Sequence, residues 1–379
     1  FRRSNFAVIG ALMMIVTVIA SGVMMFSQRG RAGKERRESR DVYIEYLEKE
    51  RDKLRADETK RLADAHRIHP APGELLSIAR SPDRLWERRR GDDDFLKLRI
   101  GTVHSRDIKV KSPQGSITRS DPFMDNEVEL IKSRFSNTPN MPLLVNLDSI
   151  GAISVVGKRD FVQQVARLLT MQAATFHSPE DLQLALVVDD EHREDWDWFS
   201  WLPQLAAQNV QGPFGPGRVI VPSIARLRNV LGPELDSRSS SAAEARRAML
   251  TGKEIQHGRI LVLVDQYGQA ATTFTPTDPQ IKLSQVSTTV VYLLDDRRAE
   301  PGFITTRISA GREPGSFVVE TYPKPDAAPK VVTGFLDDLN RDSTNALAHF
   351  LSPLRLSPDS HEHDAARNVM TFAELLGVP

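Results

Sequence analysis

The sequence predicts an α/β fold, in which a parallel-rich sheet with helices on both faces occupies about residues 99–308. The stretch Ile150–Asp190 holds two short apolar runs around a helical repeat, the pattern of a strand–helix–strand unit. Arg259–Asp265 and Thr288–Leu294 are further apolar runs, typical of buried parallel strands. We therefore expect four strands side by side, those that end near Val156, Val188, Val264 and Leu294.

Composition limits the classes of function. The chain has 379 residues, with 50 basic and 50 acidic side chains and no cysteine. This length predicts two to three domains. A net charge of zero gives no indication of nucleic-acid binding, and the lack of cysteine excludes disulfides and thiolate metal sites. Because the first residue is Phe1 rather than Met, we expect a piece of a longer protein.

An uncharged segment near the start predicts a membrane span. Phe6–Phe26 is apolar almost throughout, and as a helix it would cover roughly 30 Å, the thickness of a bilayer core. A signal peptide is the competing interpretation, but the run is too long and lacks a small-residue cleavage site. We expect a transmembrane helix in residues 1–30 at the inner (cell) membrane. Only Arg2 and Arg3 precede the span, whereas five basic residues follow it: Arg29, Arg31, Lys34, Arg36 and Arg37. This excess of positive charge places the following domain in the cytoplasm.

Residues 31–69 predict a charged cytoplasmic stalk helix. No Pro or Gly occurs between Lys34 and Ile68, and acidic and basic side chains alternate at helical spacing. Tyr43, Leu47 and Leu54 form one apolar edge, which we expect to contact partner helices. A long coiled coil is weakly supported, because Arg61 interrupts the heptad.

Residues 70–335 predict a degenerate ATPase-like domain. A P-loop NTPase also begins with a strand, a turn and a helix, but its turn is a glycine-rich phosphate cradle that ends in Lys and a hydroxyl residue. Here Gly157 and Lys158 lead directly into Arg159-Asp160, with no second Gly and no Ser or Thr. Asp265 ends an apolar strand as a magnesium ligand would, but Gln266 replaces the following carboxylate. Gly157, Lys158 and Asp265 are therefore the candidate residues of a degenerate nucleotide site.

Two further motifs leave alternatives open. Trp196, Trp198 and Trp201 either close one end of the sheet or anchor a neighbouring protein, because Trp is frequent at interface hot spots. Arg88–Arg90 either binds phosphate or, as we favour, forms a solvated turn neutralised by Asp92–Asp94.

The remaining segments predict short helices. We expect helices at Leu75–Trp86, Ile224–Leu231 and Glu244–Leu250, with a polar loop at Asp236–Ser241. Residues 336–379 are expected to form a helical linker that begins with Leu336–Leu339. His361 and His363 lie in that linker, and without further ligands they predict no metal site.

Several motifs resemble the N-terminal part of the EccC/EssC family, the membrane-bound FtsK/SpoIIIE-type ATPases of type VII secretion systems. The matching stretches cover essentially the whole chain: His69-Pro70-x-Pro72, Leu85-Trp86-Glu87-Arg88, Asp94-Phe95-Leu96-x-Leu98-Arg99-x-Gly101, His177-x-Pro179-x-Asp181-Leu182, Trp201-Leu202-Pro203 and Ala346-Leu347 to Ser352-Pro353-Leu354-Arg355. Gln204 departs from the family, whose members often carry His there.

The resemblance implies a P-loop-NTPase-like (RecA/FtsK-like) domain that couples downstream motors to a membrane complex for protein export. It implies partners among the other membrane subunits, secreted proteins reached through the motors, and the lipid bilayer, but no nucleic acid. ATP and magnesium are expected in the motors, and no cofactor in this segment. Two alternatives remain open: an active ATPase domain that uses Lys158 and Asp265, and a single-pass receptor tail. Whether the segment is itself an enzyme therefore stays open.

Overall fold

The computed structural model describes residues 34–105, 122–212, 215–247, 258–270, 272–276, 278, 281–302, 304–324 and 327–356. The chain divides into two units, Phe1–His69 with Thr102–Pro142 and Pro70–Gly101 with Leu143–Pro379. The described α-helices are α1 (Lys34–Ile68), α2 (Leu75–Ala79), α3 (Pro122–Phe135), α4 (Arg159–Phe176), α5 (Ile224–Arg247) and α6 (Arg341–Leu351).

The described strands belong to two sheets. Their bounds are β1 (Lys97–Ser105), β2 (Thr138–Asn146), β3 (Ala152–Val156), β4 (Leu182–Val188), β5 (Ala206–Gly212), β6 (Gly215–Arg218), β7 (Ile220–Val221), β8 (Arg259–Asp265), β9 (Thr288–Leu294), β10 (Thr306–Ala310), β11 (Ser316–Thr321) and β12 (Lys330–Leu336). The larger sheet has ten strands in the order β2-β1-β12-β11-β10-β3-β9-β8-β4-β7, and β5 pairs with β6.

In the first unit, α1 is one continuous helix of 35 residues, as the sequence predicts. It packs against α3 of the same unit, and Arg134 of α3 forms an ion pair with Glu58 at 3.2 Å. Burial, with the nearby Asp125 carboxylate of α3, raises the pKa of Tyr43 to about 12. Leu47, one turn further along α1, is buried, while Leu54 is half-buried. The apolar edge that we expected to contact partner helices thus faces α3 at Tyr43.

The second unit contains a run of parallel strands, in the order β10-β3-β9-β8-β4-β7. The four strands predicted to lie side by side do so, in the order β3, β9, β8 and β4. β11 and β12 extend the sheet in antiparallel fashion. The prediction of an α/β fold with a large parallel-rich sheet is confirmed.

Helices cover both faces of the parallel strands. On one face, Leu227, Leu231 and Leu235 of α5 pack in one cluster with side chains of β3, β4, β8 and β9. The helix α4 contacts β3 and β9 but contributes no side chain to that cluster, which places it on the other face. Central strands such as β8 are therefore buried on both faces, which explains their unbroken apolar sequence.

Three local predictions are wrong. The helix α2 ends at Ala79, because Pro82 follows and disfavours a helical conformation at Ser81. Trp86, the predicted end, has a left-handed φ of 57° and is buried. The helix α5 continues through Pro233, where we expected a break and a polar loop. Its leucines repeat every four residues against the sheet, and this burial outweighs the lost hydrogen bond at proline. In the segment Leu336–Leu339, expected to be helical, Leu336 is the last residue of β12 and the following three residues are irregular.

Some predictions fall outside the described residues. These include the apolar segment 6–26 and the two histidines of the predicted linker, His361 and His363. Among the helices that the structure describes, none combines the length and apolar character needed to cross a bilayer.

Candidate functional site

The candidate site lies where β3 ends and α4 begins, at the carboxyl ends of the parallel strands. Gly157 follows β3, and a side chain there would meet the Phe161 ring at 3.0 Å, which explains why glycine occupies the turn. Lys158 is extended (φ −62°, ψ 152°) and precedes α4 without capping it by its side chain. Arg159 is the first helical residue, so the turn is too short to wrap a phosphate.

Asp265, the last residue of β8, lies opposite this turn and is paired with Arg159. Arg159 donates from Nη1 to Asp265 Oδ1 at 2.7 Å and from Nη2 to Oδ2 at 2.9 Å. The Asp265 side chain has no exposed surface, whereas that of Arg159 is 22% exposed. Such a bidentate pair is among the strongest hydrogen-bonded contacts in proteins.

Two more donors complete the environment of Asp265. Trp196 Nε1 donates to Oδ2 at 2.7 Å, and Gln163 Nε2 lies at 3.4 Å from the same oxygen. Both carboxylate oxygens therefore accept hydrogen bonds from protein groups. The carboxylate that the sequence predicts as a magnesium ligand is instead bound by a guanidinium group of the chain itself.

Arg159 also binds a second carboxylate. Its Nε and Nη2 donate to Asp195 Oδ2 at 3.1 and 2.6 Å, and its guanidinium lies 5.2 Å from the centre of the Tyr267 ring. Burial lowers the pKa of Arg159, but the hydrogen bonds and charges of Asp265 and Asp195 outweigh it and raise that pKa overall. Arg159 is therefore a permanent cation in this site.

The other predicted site residues lie apart from this pair. Lys158 is exposed, and no side-chain hydrogen bond or ion pair of Lys158 occurs within the described residues. Gln266 accepts a hydrogen bond from the backbone N–H of Thr272 at 2.9 Å, so its amide orders the following loop. Sequence reasoning missed Arg159, Asp195 and Gln163. The arginine directly after Gly157-Lys158 was the signal available.

The three clustered tryptophans differ in exposure. We name the 3-10 helix Arg193–Trp201 the tryptophan segment. Trp196 and Trp198 are buried, with ring centres 5.5 Å apart, and both pack edge-on against Phe199. Their burial removes these two residues from the interface candidates and fits the interpretation that they close one end of the sheet. Trp201 is 42% exposed and lies 4.2 Å from the ring of His349.

Two of the three arginines 88–90 are held by structural contacts, and one of these contacts is the predicted neutralisation by the acidic run 92–94. The Arg88 guanidinium is buried over the Phe176 ring at 3.9 Å and pairs with Asp94 at 3.2 Å. Arg90 pairs with Asp148 at 2.5 Å. Both guanidinium groups therefore form ion pairs with carboxylates of the chain itself. Within the part of the chain that the structure describes, no group of three His, Cys, Asp or Glu residues could hold a metal ion.

Comparison with known proteins connects this chain to protein secretion. No family model matches it. The ESX secretion system protein EccC of Thermomonospora curvata is 30% identical over 368 residues, which cover 94% of this chain and 26% of that protein. The chain belongs to the EccC/EssC family. The ESX-3 secretion system protein EccC3 of Mycobacterium tuberculosis is 30% identical over 274 residues, covering 65% of this chain and 20% of that protein.

The chain spans about a quarter or less of the length of these family members. Among solved structures, the cytoplasmic domain of the Thermomonospora curvata type VII secretion ATPase EccC aligns with a TM-score of 0.44 at 12% identity. That alignment covers 75% of this chain and 35% of the other.

Several residues that carry the EccC/EssC resemblance pack the interior of the second unit. Trp86 Nε1 donates to the carbonyl of Ala174 at 3.0 Å. His177 accepts the backbone N–H of Leu96 at Nε2 and faces the carbonyl of Ala173 with Nδ1, at 3.0 and 2.9 Å. Burial lowers the pKa of His177 to about 3, so the ring is neutral. These contacts join the loop before β1 to the end of α4, which gives the motifs a structural role.

Proposed function

We propose that this chain is the membrane-anchored, N-terminal module of a type VII secretion ATPase and that it does not hydrolyse ATP. In this proposal the segment 6–26 spans the inner membrane, and α1 and the α/β unit lie in the cytoplasm. The module couples downstream FtsK-type motors to the other membrane subunits, and the motors act on secreted proteins. Membership of the EccC/EssC family, whose relatives are named as secretion-system proteins, supports this role.

The pairing of Arg159 with Asp265 is the observation that carries the inactive-site part of the proposal. The strand–turn–helix of β3 and α4, with Asp265 at the end of β8, favours a P-loop-NTPase-like, RecA/FtsK-like ancestry. A nucleotide with magnesium would need Asp265 as a ligand, directly or through water. The guanidinium already satisfies that carboxylate and would repel a divalent cation by like charge.

Thermal unfolding of the full chain with magnesium and ATP tests this proposal. A ligand at 100 times its Kd stabilises a fold by about 2.7 kcal/mol, so a functional site would raise the melting temperature by several degrees at millimolar ATP. We expect no such rise and no phosphate release. Lys158→Ala is the matched variant, because this exposed side chain contributes no described contact and its loss should not alter folding.

An active ATPase domain that uses Lys158 and Asp265 is the second candidate. The exposed ammonium of Lys158 beside the N-terminus of α4 favours it, because helix N-termini and lysine both attract phosphate. A magnesium-dependent rise in melting temperature that disappears in Lys158→Ala would establish this candidate and refute the inactive site. In secretion assays, the inactive-site proposal expects Lys158→Ala to be far milder than the matching change in a downstream motor.

A further inference from the structure

The tryptophan segment contacts the Asp265 site on one side. Asp195 accepts two hydrogen bonds from Arg159, and the next residue, Trp196, donates to Asp265 at 2.7 Å. We name the contact between Arg159 and Asp195 the clamp. Asp195 is its outer member, with 41% of its side chain exposed. The clamp therefore holds the start of the segment against the ends of β3 and β8.

The same segment contacts α6 on its other side. Arg341, the first residue of α6, donates from Nη2 to the carbonyl of Glu194 at 2.7 Å. At the far end of the segment, the Trp201 ring lies on His349, near the end of α6. Glu194 and Asp195 are consecutive, so one peptide group separates the contact with α6 from the contact with the site.

The interior of the segment is suited to transmit a displacement. Trp196, Trp198 and Phe199 pack on one another and are almost fully buried, and Trp198 Nε1 donates to the carbonyl of Asp195 at 3.0 Å. Large aromatic rings in a close-packed interior shift together rather than one by one. The backbone itself is a 3-10 helix, whose hydrogen bonds are weaker than those of an α-helix. The side-chain contacts therefore hold its position.

We propose that the clamp controls the docking of α6, so that drawing Arg159 away from Asp195 loosens both the tryptophan segment and α6. The site and the last described helix are thereby coupled through one nine-residue segment. The coupling requires two arrangements of the Arg159 side chain, paired with or released from Asp195. It does not depend on whether the site binds nucleotide, because any anion or protein group that competes for Arg159 would act in the same way.

Hydrogen–deuterium exchange of the full chain tests the coupling. Arg159→Met removes the clamp and keeps the apolar stem, while Asp195→Asn weakens the clamp and leaves the pair with the buried Asp265 intact. In Arg159→Met we expect at least tenfold faster exchange in peptides from residues 193–201 and from residues 341–351. In Asp195→Asn we expect a smaller acceleration in the same two peptides, of up to about fivefold. Peptides from α1 provide the internal reference and should exchange at the wild-type rate.

Arg341→Ala provides the matched control, because it removes the hydrogen bond from α6 to the Glu194 carbonyl and leaves the clamp in place. It should speed exchange in residues 341–351 and leave Trp196 and its neighbours protected. If α6 exchanges at the wild-type rate in both clamp variants while the segment loosens, the coupling is refuted. In that case α6 is held by its contacts with α2 and α4. One contact between the chain before α6 and α4 is the hydrogen bond from Arg167 Nε to the carbonyl of Leu339 at 3.0 Å. Should Arg159→Met fail to fold, Asp195→Asn alone decides the matter.

Discussion

Replacing Arg159 by methionine would leave the Asp265 carboxylate in the interior without its cation. Removal of one partner from a buried ion pair typically costs about 3–5 kcal/mol, because the remaining charge has lost its compensation. The hydrogen bonds from Trp196 and Gln163 remain, and Arg159 is partly exposed, so the lower end of that range applies. We expect Arg159→Met to lower the free energy of unfolding by about 3 kcal/mol.

A double-mutant cycle separates this pairing from ordinary packing. Asp265→Asn keeps the shape and removes the charge, and it should cost about 2 kcal/mol through weaker hydrogen bonds. The double variant Arg159→Met with Asp265→Asn buries no unpaired charge, so its cost should fall about 2 kcal/mol short of the sum. Asp195→Asn, at the exposed side of Arg159, should cost about 1 kcal/mol or less.

Urea unfolding followed by tryptophan fluorescence measures all four variants, because Trp196 directly contacts Asp265. Additive costs within about 0.5 kcal/mol would show that the two side chains contribute independently. Such a result would refute the view that Arg159 acts as the resident cation of the site.

Three further predictions concern the rest of the chain. Burial keeps His177 neutral by lowering its pKa from 6.5 to about 3, so its contribution to stability is complete above pH 6.5 and is lost as the pH falls towards 3. Between pH 6.5 and pH 5 this loss should be about 2 kcal/mol in urea unfolding, and a His177→Gln variant that kept the same pH slope would contradict it. Gly101→Ala should lower the free energy of unfolding by about 2 kcal/mol or more, because its methyl group would overlap a carbonyl of β12. Gly73 has open space around it, so Gly73→Ala should unfold like wild type. The double variant Leu47→Glu with Leu54→Glu should separate α1 from α3 and weaken assembly in pull-downs with the membrane subunits. The urea transition of the second unit should be unchanged. Assembly at the wild-type level would show that this edge has no role.

The sheet could be predicted from sequence because its signals are local. The strand Arg259–Asp265 is an unbroken apolar run that only a strand buried on both faces explains well, and the structure places it between β9 and β4. Helix boundaries were harder, because tertiary burial overrides local rules. The helix α5 crosses Pro233 since its leucines pack on the sheet, and no window of sequence reveals that contact.

Only part of the site could be predicted, because local motifs are visible in the sequence and contacts between distant residues are not. The turn at Gly157 and the acid at the end of β8 are visible as motifs, and both lie where expected. The partner of Asp265 is not visible, because 106 positions separate it from Arg159 along the chain. The change from the extended Lys158 to the helical Arg159 determines which of the two cations turns inward. Likewise, Arg88 looked solvated until the fold placed it over the Phe176 ring.

The guanidinium of Arg159 differs from a bound metal ion in one thermodynamic respect, since it has no free concentration. An ion stabilises its protein by mass action, and chelators or competing phosphates can remove it. A cation that is part of a side chain cannot be diluted or removed by a chelator, so the pairing of Asp265 does not follow the supply of magnesium. In the function that we propose, Asp265 therefore keeps a cation whether or not magnesium is bound by the downstream motors.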